Sequence, residues 1–143
     1  MEDKAQRLQI HLALIRSCAG WSAATLGKKL GVTRQMVSNI ENGRPLTKIQ
    51  YLAIRKVFDD EILNSPEDTV MLRDVINVLV DEPGNYSIED RNKVLSDANL
   101  LSPAIMAKKS SRKNASRAWM ATFAGVAIAA VGIRMKSLLD DKK

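Results

Sequence analysis

Arg34, Gln35, Ser38 and Asn39 fall within one short stretch, and each carries a hydrogen-bonding group suited to a planar polar edge. An arginine fork fits the acceptor pair of guanine, and a carboxamide pairs bidentately with adenine, so these side chains could read nucleobases. Val37 and Ile40, at i, i+3, would turn inward on a helix and thrust their polar neighbours outward. Other chemistry has little footing. His11 and Cys18 are the sole residues of their types and lie seven apart on one helical pattern, a spacing that suits packing better than a nucleophile–base pair. With no ligand cluster and no phosphate loop, we expect no metal, no cofactor, no small-molecule substrate and no enzyme. One cysteine also excludes an intrachain disulfide.

The elements that must position those side chains are helices. Leu8, Ile10, Leu12 and Ile15 recur at helical spacing and predict a first helix from about Lys4 to Cys18, ended by Gly20. Ser22 is placed to cap a second helix, Ala23 to Leu30, that stops at Gly31. Thr33 caps a third, Arg34 to about Glu41, closed by Asn42-Gly43. Leu26 and Leu30 then face Val37 and Ile40 across the turn Gly31-Val32-Thr33, with Val32 expected to plug the small core. Thr47 opens a fourth helix carrying Ile49, Leu52, Ala53, Val57 and Phe58. The N-terminus of the third helix presents free N–H groups and a positive dipole, which suit phosphate.

The run Gly20-Trp21-Ser22, Leu26, Lys29-Leu30-Gly31-Val32-Thr33-Arg34, Val37-Ser38, Ile40-Glu41-Asn42-Gly43 resembles the Cro/CI (XRE-like) family of helix-turn-helix regulators, over residues 4–58 or so. The resemblance implies that Arg34, Gln35 and Asn39 read bases of double-stranded DNA. It places Ser22, Thr33, Ser38, Asn42, Gly43 and Arg44 at the sugar-phosphate backbone. It also pairs Arg16 with Glu41 as a structural ion pair. Two positions depart from the family pattern. Ala23 stands where Gln usually contacts DNA, and Gly27 where Ala usually packs, at about 1 kcal/mol of helix propensity.

Charge divides the chain in three. Residues 1–58 carry ten basic residues against three acids, residues 59–100 three against eleven, and residues 101–143 nine against two. A basic block suits a phosphate backbone or an anionic membrane surface, and the count alone does not choose. In the acidic middle, Pro66 is placed to open a helix running to Val80, and Ser87 one through Val94, Leu95, Ala98 and Leu101, broken at Ser102-Pro103. Val70, Met71, Val75, Val78, Leu79 and Val80 are more apolar residues than one stripe needs. They imply a dimer interface or a partner-binding surface, or else packing against the first domain. Ala118 to Ile133 then contains no charge and reads as an apolar helix, with Trp119 near its edge. Sixteen residues span about 24 Å, short of a hydrocarbon core of about 30 Å, so a membrane anchor and a buried or self-associating helix both stand.

The expected organisation is therefore all-α: a helix-turn-helix domain over 1–62, an acidic helical region over 63–103, a basic linker over 104–117, an apolar helix over 118–136 and a charged tail over 137–143. The expected function is sequence-specific transcriptional regulation, as a repressor acting as a homodimer in the cytoplasm, tethered to the membrane through residues 118–133 if that helix spans it, with the N-terminus inside. The alternative is an interaction module whose layout resembles RodZ-type cell-shape proteins and which binds a protein partner in place of DNA.

Overall fold

The computed structural model describes residues 2–122 together with Ile128. Seven α-helices and no strand occur among the described residues: α1 (Glu2–Ala19), α2 (Ala23–Leu30), α3 (Arg34–Glu41), α4 (Lys48–Asn64), α5 (Val70–Ile76), α6 (Ile88–Ala107) and α7 (Arg112–Ala121). The local chemistry of their starts is explicit. The Ser22, Thr33 and Ser87 hydroxyls accept from the backbone N–H groups of Thr25, Met36 and Asp90, and Thr47 with Gln50 forms a full capping box. Gly31 closes α2 at φ 74°, a left-handed conformation that glycine reaches without a Cβ clash.

The core is organised around α1, whose Leu8, Leu12 and Ile15 are all buried. On one side α1 meets α3 and α4; on the other it meets α5, α6 and the residues that follow α5. The acidic middle therefore packs back onto the N-terminal helices. Met71, Leu72, Val75, Ile76, Val78, Leu79 and Val80 are buried within the chain. Beneath the helix-turn-helix segment, Trp21 stacks on Phe58 with ring centroids 5.1 Å apart, and the Lys29 ammonium lies 4.7 Å from the Trp21 ring centroid.

Several expectations need correction. Val32 does not plug the core but is part of the exposed turn. On α4 the buried face is Tyr51, Ile54 and Phe58, whereas Ile49, Leu52 and Ala53 face outward, as does Ile10 on α1. Pro66 lies before α5, which begins at Val70 after Thr69 donates its hydroxyl to the Ser65 carbonyl. Beyond Ile76 the chain widens into a π-helical turn, Asn77–Asp81. That turn is fixed by Arg7 Nε donating to the Val80 carbonyl at 2.7 Å and by Asn77 Nδ2 donating to Tyr86 Oη at 3.0 Å.

Pro103 does not break α6; the helix runs through it to Ala107. The missing proline N–H removes one helical bond, but burial of Ser102 and Ile105 on the inner face holds the backbone in register. The stretch 104–117 is folded rather than an open linker. After a short 3₁₀ turn, Lys109–Ser111, α7 buries Arg112, Ala115, Ser116 and Trp119. Arg112 Nη1 donates to Glu61 Oε1 at 2.7 Å and to the Ala19 carbonyl at 3.4 Å. Trp119 is fully buried, and its Nε1 donates to Asp74 Oδ2 at 2.9 Å. It is thus a core residue and not part of an interfacial aromatic belt. Ala118 to Ala121 are the last residues of α7, which ends at Thr122 in extended conformation. No helix among the described residues is long and apolar enough to cross a membrane; residues 123–127 and 129–143, which hold most of the expected apolar helix and the charged tail, lie outside the described residues.

The titratable pair singled out from the sequence behaves as packing. Burial pushes the Cys18 thiol up to about 12, which suppresses the reactive thiolate, and pushes the His11 imidazole below its ordinary value. The burial of Trp119 gives a direct prediction. Trp119→Ala should lower unfolding stability in urea by about 3 to 5 kcal/mol, the usual cost of deleting a core aromatic, whereas an exposed tryptophan would change it by only about 0.5 kcal/mol.

Candidate nucleic-acid interface

Val37 and Ile40 are nearly inaccessible, at 1% and 2% exposure. With those two residues locked inward, the helical period leaves Arg34 and Gln35 exposed and Ser38 and Asn39 half-exposed on the outer side of α3. Gln35 and Asn39, one turn apart, are joined by a hydrogen bond of 2.9 Å from Gln35 Nε2 to Asn39 Oδ1. The pair presents two carboxamides side by side in a fixed mutual orientation, with Arg34 beside them at the start of the helix.

Ser22 and Thr33 are exposed caps, so the first N–H groups of α2 and α3 that their side chains leave unsatisfied face outward. At the far end of α3, Asn42, Gly43 and Arg44 form an exposed turn in which Gly43 takes φ 106°. Two contacts hold that turn. The Arg44 N–H donates to the Asn39 carbonyl at 2.9 Å, and Arg44 Nη1 lies 3.4 Å from Met36 Sδ. Among the described residues, Arg34 and Arg44 have no carboxylate partner, so their charge remains available.

The frame beneath is rigid. Arg16 Nε and Nη2 donate to the two Glu41 carboxylate oxygens at 2.8 and 3.1 Å, and Arg16 Nη1 donates to the Trp21 carbonyl at 3.0 Å. One guanidinium thus ties α1 to the end of α3 and to the entry of α2. It also neutralises Glu41, the one acid of α3.

Of two positioning residues, one escaped sequence reasoning and one was misjudged by it. Gln9 of α1 donates through Nε2 to the carbonyls of Ile40 at 2.8 Å and of Arg44, fastening the turn after α3. A single glutamine on a helix carries no periodic signal that would single it out. Gly27 is the other. A Cβ there would lie 2.8 Å from the Val32 carbonyl oxygen and 3.2 Å from the Thr33 carbonyl carbon. The glycine allows the turn backbone to sit directly on α2, so the departure from the family's alanine serves close packing. A signal was present in the sequence, but propensity alone gave it the wrong sense.

Residues 19–59 match the helix-turn-helix family model. This segment is a helix-turn-helix domain of the Cro/CI type. The match runs from the end of α1 through α2 and α3 into α4. The search of curated proteins found no match, and neither did the search of solved structures. Within the helix-turn-helix domain, α3 occupies the place of the recognition helix. Its C-terminal end is tied to α1 by the Arg16–Glu41 pair. Arg16→Ala should lower stability by about 2 to 3 kcal/mol by stranding Glu41, and Arg16→Lys should recover only part of that loss because an ammonium cannot form the fork. Chemical denaturation of the three proteins measures both effects.

Proposed function

We propose that this protein is a sequence-specific DNA-binding transcriptional regulator, acting as a repressor by occupying its operator as a dimer. The observation that carries the proposal is that burial of Val37 and Ile40 leaves Arg34, Gln35 and Asn39 on the outer side of α3, with the exposed cap Thr33 at its N-terminus. Arg34 would fork onto a guanine edge, and Gln35 and Asn39 would use their carboxamides on adenine. Ser22, Thr33, Ser38, Asn42, Gly43 and Arg44 would lie along the sugar-phosphate backbone and set the register. One copy spans only a half-site, so a two-fold dimer on an operator with half-sites about 34 Å apart follows from the docking geometry of such helices. The apolar residues of the acidic middle are buried within the chain, which favours a dimer contact elsewhere on the surface.

A protein-binding module of the RodZ-like layout would have no need of two carboxamides and an arginine on the outer face of α3. Gln35→Ala combined with Asn39→Ala should therefore abolish preference at the bases they face, at about 1 to 3 kcal/mol per contact, while leaving nonspecific affinity and its salt dependence unchanged. Selection of bound duplexes from a random pool, with wild type and the double variant in parallel, reads this directly. An identical selected motif from both proteins would contradict base reading by these side chains.

A further inference from the structure

The C-terminal basic segment does not hang free of the helix-turn-helix domain. A Cβ placed on Gly20 would lie 3.1 Å from Ile105 Cγ2 and 3.2 Å from Lys109 Cγ, so the end of α6 and the following turn are seated on the residue just before Trp21 and Ser22. Arg112 completes the joint by donating to the Ala19 carbonyl and to Glu61. Ser22, the exposed cap of α2, is only two residues along from Gly20, a reach of roughly 7 Å, within the span of an extended lysine. Lys108, Lys109 and Lys113 are all exposed, and none of them pairs with a carboxylate among the described residues. Glu61, an acid at this joint, is already neutralised by Arg112.

From this placement we infer that Lys108, Lys109 and Lys113 form an accessory phosphate-binding surface that continues the DNA contact of the helix-turn-helix domain past the N-terminus of α2, onto the backbone flanking the half-site. The inference rests on the proposed DNA binding and adds to it an element some 90 residues distant in sequence. Its contribution is electrostatic and blind to sequence. It also supplies, from a different part of the chain, backbone affinity at the edge where Ala23 replaces the family's DNA-contacting glutamine. An anionic membrane surface would also attract three lysines, but the seat of Lys109 on Gly20, two residues before the cap of α2, favours the proposed DNA contact.

The experiment measures duplex binding by the full-length chain over a range of salt concentrations, for wild type, Lys108→Gln/Lys109→Gln/Lys113→Gln and the corresponding triple arginine variant. Each lysine that contacts a phosphate contributes about 0.9 to the slope of log affinity against log salt, so the glutamine variant should lose about 2 to 3 units of slope and ~10-fold or more in affinity at low salt. The ranking of operator sequences should stay as in wild type, and the arginine variant should retain the slope. Because the stem of Lys109 lies against Gly20, Lys108→Gln/Lys113→Gln serves as the variant that leaves this packing untouched, with an expected loss of about 2 units of slope. An unchanged slope in both glutamine variants would overturn the inference while leaving base reading by α3 intact. So would a loss confined to binding of vesicles containing anionic phospholipid. Failure of the wild-type chain to bind any duplex would overturn the proposed function itself, and this inference with it.

Discussion

Burial of Val37 and Ile40 fixes the rotation of α3, and nearly everything else in the structure either makes that burial possible or exploits it. Both aliphatics lie in the core that α1 organises, and an α-helix has about 100° between successive side chains. Once two residues of an eight-residue helix are committed inward, the directions of Arg34, Gln35 and Asn39 follow without further choice. The Arg16–Glu41 fork and the Gln9 carboxamide then hold the helix and its exit turn at one height against α1. Gly27 sets the closeness of the turn on the other side.

The second half of the chain bears on the same frame from behind. α5 and the π-helical turn cover the face of α1 opposite α3, and Arg7 reaches across from α1 to the Val80 carbonyl. α7 closes the assembly with two buried polar contacts, Trp119 to Asp74 and Arg112 to Glu61. Each leaves an unpaired group in a dry site if one partner is lost, so each is costly to break. The acidic middle is therefore a structural support, tied to α4 by the pair of Arg55 with Asp81.

The helix-turn-helix segment was legible because its signals are local. Ser22, Thr33 and Thr47 cap the helices they were expected to cap, Gly31 ends α2 in the left-handed conformation, and Val37 and Ile40 are buried. What could not be read depends on contacts distant in sequence. Pro103 looked like a stop, and locally it is one; it sits inside α6 because Ile105 packs beside Gly20, some 85 residues earlier. The run from Lys108 to Arg117 has the composition of a linker, yet it folds because Arg112 finds Glu61 and Trp119 finds Asp74. Trp119 beside an uncharged stretch has the same local pattern whether its indole meets a membrane interface or a buried carboxylate, and only the tertiary partner distinguishes them. On α4, an apolar count that included Ile49 and Leu52 misjudged the buried face, since several aliphatics on that helix point to solvent.

The most direct test of the account is the map of backbone amide perturbations when a selected operator duplex is added to ¹⁵N-labelled protein. The largest shifts should fall at Ser22 to Thr25 and at Thr33 to Asn39, with a second group at Asn42 to Arg44, the segments proposed to meet bases and backbone. Shifts confined to the opposite side, around Arg55, Asp59, Arg73 and Asp74 in the cleft between α4 and α5, would contradict it.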